Sequence, residues 1–185
     1  MAQYLALLRG INVGGKNLIK MADLKASFED QGLRNVTTYI ASGNVLFESP
    51  ERSAARLTQQ IEDLINAAFN HYQATVVIRT KAQMRSVVDR APKGFGSRPS
   101  RYLSDALFLK PPARASAVLK SLPTKEGVDQ AHAGQGVIYW SRLASRASSS
   151  RLSRVASMPI YKSMTIRSWS TTVKLVKLMD SGGKP

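Results

Sequence analysis

The 185-residue chain contains no cysteine, so a disulfide framework, a thiolate zinc site and a thiol nucleophile are all excluded. Its two histidines, His71 and His132, stand at no metal-ligand spacing, and its 12 acidic residues are too scattered to nominate an acid and base pair. No catalytic residue, no metal ligand and no cofactor is therefore expected. No uncharged apolar run approaches the ~18 residues that a membrane span needs. Met1–Leu8 is apolar but stops at Arg9 and has no basic flank before it, which is unlike a signal peptide. A cytoplasmic protein without a membrane partner is expected. Bulk disorder is excluded as well, because 43% of the residues are hydrophobic and only 21% charged. The length fits one domain or two small ones, with about 70% of the unfolded surface available for burial.

Acid is scarce in one half only. The chain carries 27 Lys and Arg against 12 Asp and Glu, a net charge of +15. Residues 1–63 hold seven of each sign, so the whole excess falls on residues 64–185, with 20 basic and 5 acidic residues. From Gln130 to Met179 there is no acid at all. Such a field raises the local concentration of anions whatever the fold. The partner classes it suggests are nucleic acid, a phosphorylated metabolite or an acidic protein.

Hydrophobic periodicity divides the chain into alternating elements. Residues 3–9 read as a strand and 21–31 as a helix closed by Gly32. Residues 36–41 and 45–48 form a hairpin around Ser42-Gly43-Asn44, 54–69 an amphipathic helix, and 74–79 a strand. That order, β-α-β-β-α-β, is the ferredoxin-like unit. An inserted helix at 81–91 and a Pro/Gly/Ser-rich loop, Pro92–Ser100, follow. The order then recurs: strand 105–109, helix 113–121, strands 127–133 and 137–141, helix 148–157 and strand 163–167. An amphipathic helix at about 170–179 and a frayed Ser181-Gly182-Gly183 tail end the chain. The expected fold is α+β, a tandem duplication of two ferredoxin-like subdomains at 1–80 and 102–168. An inserted helix and linker occupy 81–101 and a C-terminal helix and tail 169–185. The repeat lies in element order, with no residue-level echo, and each sheet is expected to pack helices on one face and leave the other for a partner or for its twin.

Four segments carry possible chemistry. Gly10-Ile11-Asn12-Val13-Gly14-Gly15-Lys16-Asn17 matches a phosphate-binding G-x-x-x-x-G-K-[ST] loop until its last position, where Asn17 lacks the hydroxyl that would hold magnesium. Lys93-Gly94-Phe95-Gly96 opens like an RNA-binding strand, but Ser97, Arg98 and Pro99 continue it as a loop. Ser141–Ser157 holds seven Ser and four Arg, and Arg142 with Arg146, or Arg151 with Arg154, would share a helical face. Thr165–Thr172 sets Arg167 and several hydroxyls at the start of the last helix, where free amides favour an anion or a capping hydroxyl. As a cap, this start would pack Trp169 on Val173.

Three motifs taken together, Leu8–Asn17, Tyr39-Ile40-Ala41-Ser42-Gly43-Asn44-Val45 and Met164–Thr171, resemble domain-of-unknown-function family 1697, small bacterial proteins of similar length. The resemblance implies two ferredoxin-like subdomains and a C-terminal helix, and no established activity. The family's last motif usually reads R-N-W-N-T, and here Ser168 and Ser170 replace both Asn residues. The candidate ligand residues are Arg9, Asn12, Gly14, Gly15, Lys16 and Asn44, with Arg167, Ser168 and Ser170. The leading expectation is a binding protein for an anion, nucleic acid or phosphorylated metabolite. The alternatives are a phosphoryl-transfer or hydrolytic enzyme using the Gly-rich loop, and a protein-interaction module.

Overall fold

A computed structural model describes residues 1–183. The chain forms two compact units, one of Met1–Met84 with the segment from Leu175 onward, the other of Arg85–Lys174. Each contains a four-stranded antiparallel sheet of the ferredoxin-like kind.

In the first unit, strands β1 (Ala2–Leu8), β2 (Arg34–Tyr39), β3 (Asn44–Ser49) and β4 (Val76–Thr80) lie in the order β2-β3-β1-β4. Helix α1 (Met21–Asp30) connects β1 to β2, and α2 (Ala54–Ala68) connects β3 to β4. Tyr4, Ala6 and Leu8 of β1 share one face with Val45 and Phe47 of β3 and with Val76 and Ile78 of β4. That face forms a single core with Leu24 and Phe28 of α1 and with Leu57, Ile61 and Ile65 of α2. The Phe47 ring joins the two layers, stacking on Tyr4 at 5.8 Å and meeting Phe28 edge-on at 5.5 Å. Burying each such side chain contributes roughly 1.5–3 kcal/mol. The Ser53 hydroxyl caps α2 by accepting from the Arg56 amide. The opposite face is buried too, at Leu5, Leu7, Leu46 and Val77.

The second unit repeats the order with β5 (Tyr102–Leu109), α4 (Ala115–Ser121), β6 (Asp129–Ala133), β7 (Val137–Leu143) and β8 (Met164–Ser168), arranged β6-β7-β5-β8. Its core gathers Leu107, Leu109, Ile138, Trp140, Val155 and Met164. Ala106, Phe108, Val137 and Tyr139 are buried on the other face. Neither sheet therefore leaves a whole face exposed to solvent. Both are apolar on two sides, as the unalternating runs of β1 and β7 dictate. Helices α3 (Lys81–Asp89) and α6 (Trp169–Asp180) each have residues in both units.

Three expectations need correction. The helix expected over 148–157 is a 3-10 turn at Ala144–Ser149 followed by the one-turn helix α5 (Leu152–Val155), with a second 3-10 turn at Pro159–Ser163. Three consecutive serines compete for backbone hydrogen bonds and offer no apolar stripe to bury. Strand β5 starts at Tyr102, three residues before its expected Asp105. The Ser181-Gly182-Gly183 segment is ordered: Gly182 takes φ +69° and the Gly183 amide donates to the Leu178 carbonyl at 2.7 Å, closing α6 in a Schellman cap.

Candidate functional site

The Gly-rich loop after β1 is a miniature hairpin. The Asn12 amide donates to the Asn17 carbonyl at 3.1 Å, and the Lys16 amide donates to the Val13 carbonyl at 3.0 Å. Gly14 and Gly15 supply the two positive φ angles, 58° and 72°, of a type I′ tip. The backbone does not wrap a phosphate in the manner of a nucleotide-binding loop, because the Lys16 N–H is already engaged and α1 begins only at Met21.

Asn12 holds this hairpin to the rest of the unit. Its carboxamide oxygen accepts from the Ile19 amide at 2.8 Å, and its nitrogen donates to the carbonyls of Ile19 at 2.9 Å and Ala41 at 2.8 Å. Asn44, fully buried, donates to the Tyr39 carbonyl and the Ser42 hydroxyl, which fastens the β2–β3 turn. Arg9 donates to the Thr75 hydroxyl at 3.3 Å, while its carbonyl accepts from the Tyr72 hydroxyl. The structure thus gathers Arg9, Asn12, Gly14, Gly15 and Lys16 at one end of the first unit, with Asn44 tied in beside them. Gly14, Gly15 and Lys16 face solvent, whereas both asparagine amides point inward at main chain.

Arg167, Ser168 and Ser170 belong to the second unit. Arg167 is 6% exposed and donates to the Thr165 hydroxyl at 2.8 Å and the Ile166 carbonyl at 2.9 Å. Arg79 of the first unit occupies the equivalent place on β4, is also 6% exposed, and donates to the carbonyl of its own preceding Ile78. Burial pushes the Arg79 pKa down to about 10, which leaves it cationic at neutral pH. The segments Ile78-Arg79-Thr80 and Ile166-Arg167-Ser168 both end the last strand of a sheet and lead directly into a helix. The two shared residues, Ile and Arg, with a hydroxyl residue after them, are too short a match to be seen in the sequence without the strand register. Ser168 caps α6: its hydroxyl accepts from the Thr171 amide and contacts the Ser170 and Thr171 hydroxyls. The Trp169 ring meets Phe95 at 4.9 Å and Tyr139 at 6.2 Å.

The second unit concentrates the positive charge. It holds sixteen Lys and Arg against four acids, Asp89, Asp105, Glu126 and Asp129. Two of the four are internally committed. Asp105 pairs with Arg142, and burial outweighs that cation to leave its carboxyl above the usual range. Burial also acts to raise Asp129, but the Arg151 amide, the Ser150 hydroxyl and the Lys125 amide, with the Trp140 indole at longer range, overcome it and hold the pKa below the usual value. The expected helical face of Arg142 and Arg146 does not form, since Arg142 lies on β7 and Arg146 sits at a kink in the 3-10 turn, whereas Arg151 and Arg154 flank and enter the single turn of α5.

Within this unit the Pro92–Arg98 loop overhangs the sheet and encloses a cleft of about 230 Å³. Ser104, Gln130, His132 and Ser141 line its floor, and Lys93 and Arg98 its rim. Sequence reasoning missed it, because each residue reads as an ordinary exposed strand or loop position. The one signal was the Lys93–Gly96 motif in the expected Pro/Gly/Ser-rich loop, whose Phe95 packs against Tyr139 and Trp169.

Among the described residues there is no cluster of three or more potential metal-ligating His, Cys, Asp or Glu side chains, and no helix long and apolar enough to cross a membrane. A family model described as "Protein of unknown function (DUF1697)" matches residues 1–139. No curated protein matches the chain. Among solved structures, the chain is similar to the conserved bacterial protein SP0830 from Streptococcus pneumoniae, with 25% identity and a TM-score of 0.83 over 96% of this chain and 98% of that one.

Proposed function

The chain belongs to that family of unknown function, and from this premise we propose that it is a binding protein for an anionic ligand, nucleic acid or a phosphorylated metabolite. The observation that carries the reading is the cationic excess of the second unit, where two of only four acids are already committed to partners inside the fold. Uncompensated Lys and Arg at this density attract phosphate and carboxylate groups from solution. In the first unit, Lys16 with the exposed Gly14 and Gly15 amides is the anion-facing part of the candidate set, with Arg9 beside it and Asn12 and Asn44 shaping the loop. In the second unit, Ser170 offers a hydroxyl at the start of α6 beside the capping Ser168, and Arg167 adds its charge from within.

The test is equilibrium binding of a labelled duplex oligonucleotide and of small phosphates at two salt concentrations. If about five phosphates are neutralised, raising salt from about 50 to 200 mM weakens duplex binding ~500-fold. Small phosphates should bind with a shallower dependence on salt. No binding of any anion at low salt, or a salt-independent affinity for all of them, would remove the proposal.

A further inference from the structure

We propose that the cleft beneath the Pro92–Arg98 loop is a binding site for a small organic phosphate; this deepens the anion-binding reading and rests on it. The floor is a polar row across three strands. Ser104 of β5 lies opposite Ser141 of β7, and Ser141 lies opposite Gln130 of β6. His132 follows two residues along the same face of β6. Further along this face the sheet turns apolar and buried, at Ala106, Phe108 and Val137. The polar row is therefore local to the cleft rather than a general property of the sheet.

The Ser104 hydroxyl oxygen is buried and has no hydrogen-bond partner among the described residues. Buried hydroxyls are nearly always satisfied, so an unpartnered one on a residue that lines a cleft is a spare donor that a turn of the Ser104 side chain brings to a bound molecule. Lys93 and Arg98 bring two cations to the lining, the Arg98 guanidinium 5.5 Å from the centre of the Tyr102 ring, and no acidic side chain is among the lining residues. A phosphomonoester, close to a dianion at neutral pH, matches that pair, and charge-assisted hydrogen bonds to phosphate are the strong kind. The donors and acceptors of Ser104, Gln130 and Ser141 suit the hydroxyl or carbonyl groups of the organic portion.

The roof is set in advance. The Phe95 amide donates to the Pro92 carbonyl at 2.9 Å, and the Ser97 amide and hydroxyl both donate to the Gly94 carbonyl. Phe95 is wedged between Tyr139 and Trp169, and Tyr139 is itself anchored by its hydroxyl to the Val87 carbonyl at 2.7 Å. Gly96 lies so close to the Trp169 indole that no side chain fits between them. A volume of about 230 Å³ is below the ~300–1,000 Å³ of pockets for drug-sized molecules, so the ligand is compact.

The experiment is a calorimetric and NMR titration of the full-length protein with glycerol 3-phosphate, ribose 5-phosphate and phosphoserine, against inorganic phosphate, glycerol and a short oligonucleotide. At least one organic phosphate should bind more tightly than inorganic phosphate and shift the His132 ring and Gln130 side-chain signals. Lys93→Ala and Ser104→Ala should each weaken it about tenfold, with Ser104→Ala leaving the melting temperature unlowered because it removes an unpaired group. Gln130→Glu, at an exposed strand position, sets a repelling carboxylate in the floor and should abolish binding even if another variant folds poorly. Unchanged affinity in all three variants, or signal shifts confined elsewhere, would overturn the cleft and leave the general anion reading standing. The oligonucleotide binding alone would do the same. No anion bound at low salt would end both.

Discussion

Asn12 engages both polar atoms of its amide with main chain, pairing with Ile19 much as a neighbouring strand would and reaching across to Ala41. It does so at φ 53°, a conformation that favours Asn and Gly over residues without a local side-chain partner. Asn12→Ala should therefore destabilise the first unit by about 2–3 kcal/mol, from lost hydrogen bonds and left-handed backbone strain together, read as a lowered melting temperature. Asp129 is the matching tether in the second unit. Its folded pKa lies below the ordinary value, so its stabilisation is present above the unfolded pKa and disappears as pH falls through the folded one. The melting-temperature gap between wild type and Asp129→Asn should accordingly narrow as pH drops from about 5 to about 3. A gap that stays constant would mean that the carboxylate charge is immaterial. The sequence alone marked Asn12 through its motif but not what its amide holds. It marked Asp129 not at all, since an acid opening a strand looks solvated until Ser150 and Arg151 are found folded over it.

At the level of elements, most of both β-α-β-β-α-β runs were legible because apolar strands and Gly-containing turns alternate with long amphipathic stripes. The exception is informative. Helix α2 buries Leu57, Ile61 and Ile65 at helical spacing, whereas between Ala144 and Ser163 only Val155 is buried. Without an apolar stripe, the chain there breaks into 3-10 turns and a single helical turn, pinned by the Asp129 hydrogen bonds. Amide hydrogen exchange should separate the two, with the central turns of α2 among the slowest of the first unit and 144–163 among the fastest of the second. Comparable protection in both would show that the serine-rich segment is more firmly held than its packing suggests.

For the molecule as a whole, a charge of +15 opposes compactness through self-repulsion. Salt screens that repulsion over about 8 Å at physiological strength, so the melting temperature should rise between low salt and about 150 mM. A fall would mean that favourable ion pairs such as Lys81 with Asp180 and Lys25 with Glu29 outweigh the repulsion. The charge asymmetry was plain from sequence; its partial neutralisation was not, because Asp105 and Arg142 meet only through the β5–β7 register. The cleft was hidden for the same reason. Its floor is assembled from single polar positions on three strands, and its roof from a loop whose sequence reads as a plain linker.

The hairpin tip at Gly14-Gly15 also has a practical side. The Asn12–Asn17 closure lies beneath it and the asparagine clamp lies deeper still, so foreign residues grafted between the two glycines would extend outward from a fastened base. An epitope tag, a reporter peptide or new chain ends could be introduced there without entering the hydrophobic interior, and the same graft would shield Lys16 from any partner it meets.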